Sequence, residues 1–131
     1  MAQDGGFGLS RIGQISITVK DVKRATGFYR DTLGMKLLFE APPGLAFFDC
    51  SGVRLMLTTP PTPELDHPPS ILYYKVDDIG SAHDVLVSRN VVFVEKPHVV
   101  ASMPDHDLWL ASFRDSEGNL LALMSEVRKG R

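Results

Sequence analysis

Four histidines, His67, His83, His98 and His106, are the side chains best suited to move a proton near neutral pH. Two of them, His98 and His106, share the segment 95–107 with Met103, Asp105 and Asp107, and Trp109 follows closely. In Asp105-His106-Asp107 a flanking carboxylate can fix one imidazole tautomer. That makes His106 a candidate general acid or base, with His98 as the second. The same tripeptide also reads as a polar turn ordered by aspartate hydrogen bonds. His67 sits among prolines, and His83 lies between Ser81 and Asp84 on a helical stretch, where a solvated role is expected. Arg54 offers a planar fork for a carboxylate or phosphate, and Lys75 offers a second cation. Either could instead pair with an acid such as Asp49 or Glu40, and a register slip of one residue would reverse the face. Tyr73 and Trp109 are flat enough to stack on a ligand, although large aromatics are more commonly buried. Cys50, the single cysteine, has no activating cation beside it and reads as a small apolar residue.

The elements that must position these groups follow from periodicity. Ile15, Ile17 and Val19 alternate with Gln14, Ser16 and Thr18, which predicts a strand with one apolar face. Asp21 suits a helix N-cap. Val22, Ala25, Phe28, Tyr29 and Leu33 then repeat at helical spacing, and Gly34 supplies a stop. Strands are expected at Lys36–Glu40, Leu45–Cys50 and Val53–Thr58, with turns at Pro42-Pro43-Gly44 and Ser51-Gly52. Phe47-Phe48 and Leu55-Met56-Leu57 read as core positions. Five prolines between Thr59 and Pro69 mark a stiff linker. Beyond it the order recurs: a strand Ile71–Val76, a helix capped by Asp78, and a short strand Val91–Val94. A loop Glu95–Asp107 and a hairpin of Leu108–Arg114 with Leu120–Met124 complete it.

Val19, Asp21 and Ala25 thus return 57 positions later as Val76, Asp78 and Ala82. The expected organisation is a tail 1–10, one domain 11–126 and a tail 127–131. The domain comprises module one (11–58), the linker (59–69) and module two (70–126). Neither half alone covers its sheet. The expected fold is α+β, with two β-α-β-β-β modules pairing into a curved mixed sheet around a small-molecule cup and the helices on the outer face. Gln14, Ser16, Thr18, Arg54, Met56, Tyr73 and Lys75 are expected to line that cup.

The chain has 131 residues, 44% of them apolar, and a net charge of −2. That composition suits one folded domain and excludes disorder as the main state. No basic block is present to neutralise phosphates, so no nucleic-acid partner is expected. One cysteine allows no internal disulfide and no cysteine-rich zinc site. The polar, glycine-rich start lacks a signal-peptide core, and no apolar run is long enough to span a bilayer. A cytoplasmic location without membrane partners is expected. No phosphate-cradling glycine loop, nucleophile elbow or zincin helix appears.

The run Ile15-x-Ile-x-Val-x-Asp21-Val-x-x-Ala25-x-x-Phe28-Tyr29-x-x-x-Leu33-Gly34-Met35 resembles the opening signature of the vicinal oxygen chelate superfamily. That group includes glyoxalase I, extradiol dioxygenases, fosfomycin resistance enzymes and bleomycin resistance proteins. Phe113-Arg114-Asp115-Ser116-Glu117-Gly118-Asn119-Leu120 resembles its closing hairpin, with Ser116 where proline is usual. The resemblance covers roughly residues 11–126 and implies the paired-module fold. It also implies four metal-ligand positions, which fall on Gln14, Met56, Ile71 and Ala122. Only the first can bind a hard divalent ion. The expectation is therefore a protein without the family's metal site and without a cofactor.

The first functional expectation is a small-molecule-binding protein, acting by sequestration as bleomycin resistance proteins do. Its expected ligand-binding residues are Gln14, Arg54, Met56, Tyr73, Lys75 and Trp109. The alternative is a lyase, isomerase or dioxygenase-like enzyme acting on a small carbonyl or carboxylate, with His106 or His98 as acid–base and Arg54 as anion anchor. A third possibility is a domain whose role is mainly assembly. The resemblance implies a homodimer.

Overall fold

The computed structural model describes residues 6–41, 44–60 and 62–130. Met1–Gly5 of the expected tail, Pro42 and Pro43 of the first turn, Pro61 of the linker and Arg131 lie outside the described residues. The chain runs twice through strand, helix and three strands. The first pass is β1 (Gln14–Thr18), α1 (Val22–Gly27), β2 (Lys36–Ala41), β3 (Leu45–Cys50) and β4 (Val53–Thr58). The second is β5 (Leu72–Lys75), α2 (Ile79–Ser88), β6 (Phe93–Ser102), β7 (His106–Arg114) and β8 (Leu120–Arg128). The expected α+β architecture of two β-α-β-β-β modules is the one observed. Each module bonds its strands into a four-stranded mixed sheet, ordered β1-β4-β3-β2 and β5-β8-β7-β6. The pairs β1–β4 and β5–β8 are parallel, and the others antiparallel.

The repeat is physical as well as sequential. Asp21 caps α1 by accepting from the Arg24 amide, and Asp78 caps α2 by accepting from the Ser81 amide. Behind the caps lies one core that takes residues from both modules. Ile17, Tyr29, Phe48 and Leu57 meet Leu86, Phe113, Leu121 and Leu123 in a single cluster. Side-chain burial therefore joins what the strand ladders leave separate.

Several elements depart from expectation. The helix predicted over Val22–Leu33 keeps α-helical bonding only to Gly27, and Phe28–Thr32 forms a π turn. The Leu33 amide bonds to the Phe28 carbonyl at 3.0 Å, and Gly34 ends the run at φ +75°. A wider turn rotates the side chains that follow it, and Tyr29 lies fully buried there.

The segment Glu95–Asp107, expected as a loop, is largely strand. β6 starts at Phe93 and continues to Ser102, and β7 already begins at His106. Pro97 disguises the strand, because proline cannot donate to a ladder. It is tolerated because β6 is an edge strand with register shifts on either side of that position. At the other end β8 runs to Arg128, past the expected boundary at 126, because Val127 and Arg128 pair with Asp107 and His106. Within the expected linker, Pro63–Leu65 makes one 3-10 turn.

Candidate functional site

The first sheet presents a mixed polar and aromatic face opposite the core. On β1, Ile17 points inward and is 1% exposed, so Gln14 and Ser16 point outward. The parallel register sets Gln14 beside Arg54 and Ser16 beside Met56. The antiparallel registers then carry the same face to Phe47 on β3 and Phe39 on β2. Gln14, Arg54 and Met56, three of the predicted ligand-binding residues, are thus brought together. Arg54 Nε donates to Gln14 Oε1 at 2.8 Å, and Gln14 Nε2 lies 3.8 Å from Met56 Sδ. The Arg54 guanidinium sits 5.3 Å from the centroid of the Phe47 ring. Phe47 in turn stacks on Phe39, with centroids 4.5 Å apart and planes 25° from parallel.

Phe39 and Phe47 were not among the predicted site residues. Phe48 is fully buried, whereas Phe47, its neighbour, faces the other side of the sheet. Reading Phe47-Phe48 as one core run overlooks this. Strand alternation across Leu45–Cys50 carries the signal that separates the two rings.

Tyr73 and Lys75 lie on β5 of the second sheet, paired with Ala122 and Met124 of β8. Lys75 Nζ faces Glu126 Oε1 at 3.4 Å. His98 on β6 pairs with Leu110 of β7, whereas His106, at the start of β7, pairs with Arg128 of β8. Leu110 lies four positions along β7 from His106, a span of about 13 Å. The two histidines therefore do not form one constellation. His106 Nδ1 lies 2.8 Å from Asp105 Oδ1, and this contact holds the Asp105 carboxyl below its ordinary range. His98 Nδ1 lies 2.7 Å from the Lys96 carbonyl. Trp109 shares a face with Ala111 and Phe113, packs against the core, and sits on the opposite face of the sheet from Lys75. Among the described residues, no hydrogen bond or ion pair links Tyr73, Lys75, His98 or His106 to the Gln14–Arg54 cluster. His83, expected to be solvated, is mostly covered and packs against Phe93, with ring centroids 4.5 Å apart and planes tilted by 54°.

Between the modules lies a cavity of about 360 Å³ lined by Ile15, Met35, Cys50, Leu55, Leu72 and Tyr74. Tyr73 and Lys75 edge it. The Tyr74 hydroxyl donates to Met35 Sδ at 3.5 Å, and burial pushes that hydroxyl's pKa up.

The closing hairpin acts as a latch across the modules. Glu117 accepts from the Lys20 and Asp21 amides and takes both Nε and Nη2 of Arg24, at 2.8 to 3.1 Å. The Arg24 hydrogen bonds lower the Glu117 carboxyl to about 2. Asp115 accepts the buried Tyr29 hydroxyl at 2.7 Å, and Asn119 Nδ2 donates to the Thr18 carbonyl at 3.1 Å. The signature residues at the two ends of the chain thus bond to each other, well away from the Gln14–Arg54 cluster in the hydrogen-bond network.

Comparisons with known proteins agree with this architecture. A family model for the glyoxalase/bleomycin resistance protein/dioxygenase superfamily matches residues 11–123. An uncharacterised Bacillus subtilis protein, YraH, is 28% identical over 126 aligned residues, covering 84% of this chain and 94% of that protein. The crystal structure of lactoylglutathione lyase from Agrobacterium tumefaciens superimposes with TM-score 0.74 at 20% identity, covering 91% of this chain and 96% of that one. TnmS3, an antibiotic-binding protein from Streptomyces sp. CB03234, gives TM-score 0.72 at 24% identity, covering 92% and 98%. By its fold and by the family match over 11–123, this chain belongs to the glyoxalase/bleomycin resistance protein/dioxygenase superfamily.

Proposed function

We propose that this protein binds a small organic molecule on the face of its first sheet turned away from the core and from α1, the outer face in that sense, and works without the divalent metal site of the family's metalloenzymes. One observation carries the reading: Gln14 Oε1 already receives Arg54 Nε at 2.8 Å. At the four positions where the family resemblance puts metal ligands, the donors are a carboxamide, a thioether and two aliphatic side chains. Such a set does not fit a hard or borderline divalent ion, which wants imidazole and carboxylate. The guanidinium beside Gln14 supplies positive charge at that place, and a dication there would be repelled. The antibiotic-binding neighbour TnmS3 supports a sequestering role on this fold.

Elemental analysis of the purified protein, with thermal melts in EDTA and in Ni²⁺, Zn²⁺, Mn²⁺ or Fe²⁺, tests the reading. A ligand bound only by the folded state at a hundredfold excess over its Kd adds about 2.7 kcal/mol, so a bound metal would give a large melting shift. Substoichiometric metal and no shift are expected. Near-stoichiometric metal with a large EDTA effect would overturn it.

A second reading rests on His106, which Asp105 holds in a fixed orientation at 2.8 Å. In it the protein is an enzyme acting on a small carbonyl or carboxylate. Loss of turnover in His106→Ala with unchanged ligand affinity would favour this reading over sequestration. We further propose a homodimer. The edge strand β6 exposes Val94, Val99 and Val100, which a second copy would cover.

A further inference from the structure

The geometry points to planar aromatic carboxylates as the ligand class, with the ring against the Phe47–Phe39 pair and the carboxylate held by Arg54. This inference rests on the outer-face site described above and names what that site would take. Gln14, Arg54, Phe47 and Phe39 form a strip across all four strands of the first sheet. Three interstrand spacings make the strip about 14 Å long, enough for a one- or two-ring acid.

The aromatic half of the strip is preorganised and unfinished. Phe47 is stacked from one side by Phe39 and is 9% exposed, whereas Phe39 remains 49% exposed. A half-exposed phenylalanine already stacked on a second ring offers a flat apolar platform whose orientation is fixed in advance. The cationic half is likewise uncommitted. Arg54 spends Nε on Gln14, and among the described residues no carboxylate lies within ion-pair distance of it. Asp49, its register partner, accepts from the Gly52 amide in the hairpin turn instead. The terminal nitrogens of Arg54 remain for a bidentate carboxylate. Lys75, by contrast, already faces Glu126. Among the described residues, the cavity between the modules is walled chiefly by apolar side chains, with Lys75 as its cationic side chain.

Three probes test the proposal on the full chain: 2-naphthoate, the uncharged 2-naphthamide, and cyclohexanecarboxylate, an acid without a ring face. Kd values come from calorimetric titration of the parent protein, Arg54→Met, Arg54→Lys and Phe39→Ala. Apo melting curves confirm that each variant is folded. Naphthoate should bind at least tenfold more tightly than either other probe. Arg54→Met should cost naphthoate at least tenfold and leave naphthamide within twofold, with Arg54→Lys intermediate. Phe39→Ala should weaken naphthoate and naphthamide alike. Equal binding of naphthoate and naphthamide, with no effect of Arg54→Met, would overturn the carboxylate assignment and leave the outer-face site standing. Cyclohexanecarboxylate binding as tightly as naphthoate would overturn the aromatic assignment. No binding of any probe, or binding untouched by every variant, would overturn the proposal and the outer-face site together.

Discussion

Glu117 shows how much one residue can carry without announcing itself. Its carboxylate is 1% exposed and satisfies two backbone amides and a guanidinium from the other module. Its pKa falls from an ordinary 4.5 to about 2, chiefly through the Arg24 hydrogen bonds. A depressed carboxyl stabilises the fold fully above its unfolded pKa, and that contribution drains away as pH falls from about 4.5 to about 2. Arg24 is half exposed and solvent-screened, so the contribution is on the order of 1–3 kcal/mol. Glu117→Gln should therefore lower Tm at pH 7 and flatten the pH dependence of stability between about 4.5 and 2. Melting curves for both proteins across that range check this, and parallel curves would contradict it. In the sequence, Asp115, Gly118 and Asn119 were legible through their motif. Glu117 lies within the same run, but its role was not legible because its partners lie more than ninety residues away. That Gln14, Arg54 and Met56 share one face was legible because strand alternation fixes it. That Phe47 joins them was not, because the adjacent Phe47 and Phe48 look alike until the register separates them, and Phe39 follows a register shift in β2.

At the scale of elements, caps and glycines were more informative than hydrophobic pattern. Both helix starts were readable from Asp21 and Asp78, whose carboxylates do what their positions suggest. The π turn left no such trace, since its residues repeat much as an α-helix would. The long β6 was hidden by Pro97 and by bulges that break alternation. Gly34 marks where the π turn must stop. It sits at φ +75°, and the Cβ of an added side chain would meet only the Arg89 guanidinium, at 3.9 Å. Space is available, so the cost of Gly34→Ala is backbone strain, about 1–2 kcal/mol. Denaturant unfolding should show a lower midpoint with unchanged slope. An unchanged midpoint would mean that the π turn relaxes to absorb the strain.

The molecule as a whole is held by contacts that ignore the sequence boundary at the proline linker. Strand ladders stay within each module, yet the core cluster takes Tyr29, Phe48 and Leu57 from one and Phe113, Leu121 and Leu123 from the other. Polar links cross the same divide, among them Tyr29 to Asp115, Arg24 to Glu117, Asn119 to Thr18, and Arg89 to Thr32. An internal repeat invites the view that each module is a folding unit, but each has too little apolar surface of its own to offset the chain entropy of ordering it. Unfolding should therefore be a single cooperative transition, with circular dichroism and Trp109 fluorescence giving the same midpoint. A fragment covering residues 1–69 should remain unfolded by itself. Tyr29→Phe, which removes the buried hydroxyl from Asp115, should lower the one midpoint by an amount equivalent to about 1–2 kcal/mol without splitting the transition. Two resolved transitions, or a folded fragment, would show instead that the modules are independent and that the latch merely docks them. Coincident transitions would mean that a mutation in the closing hairpin reaches the Gln14–Arg54 face through global stability, so binding assays on such variants must be read below their melting range.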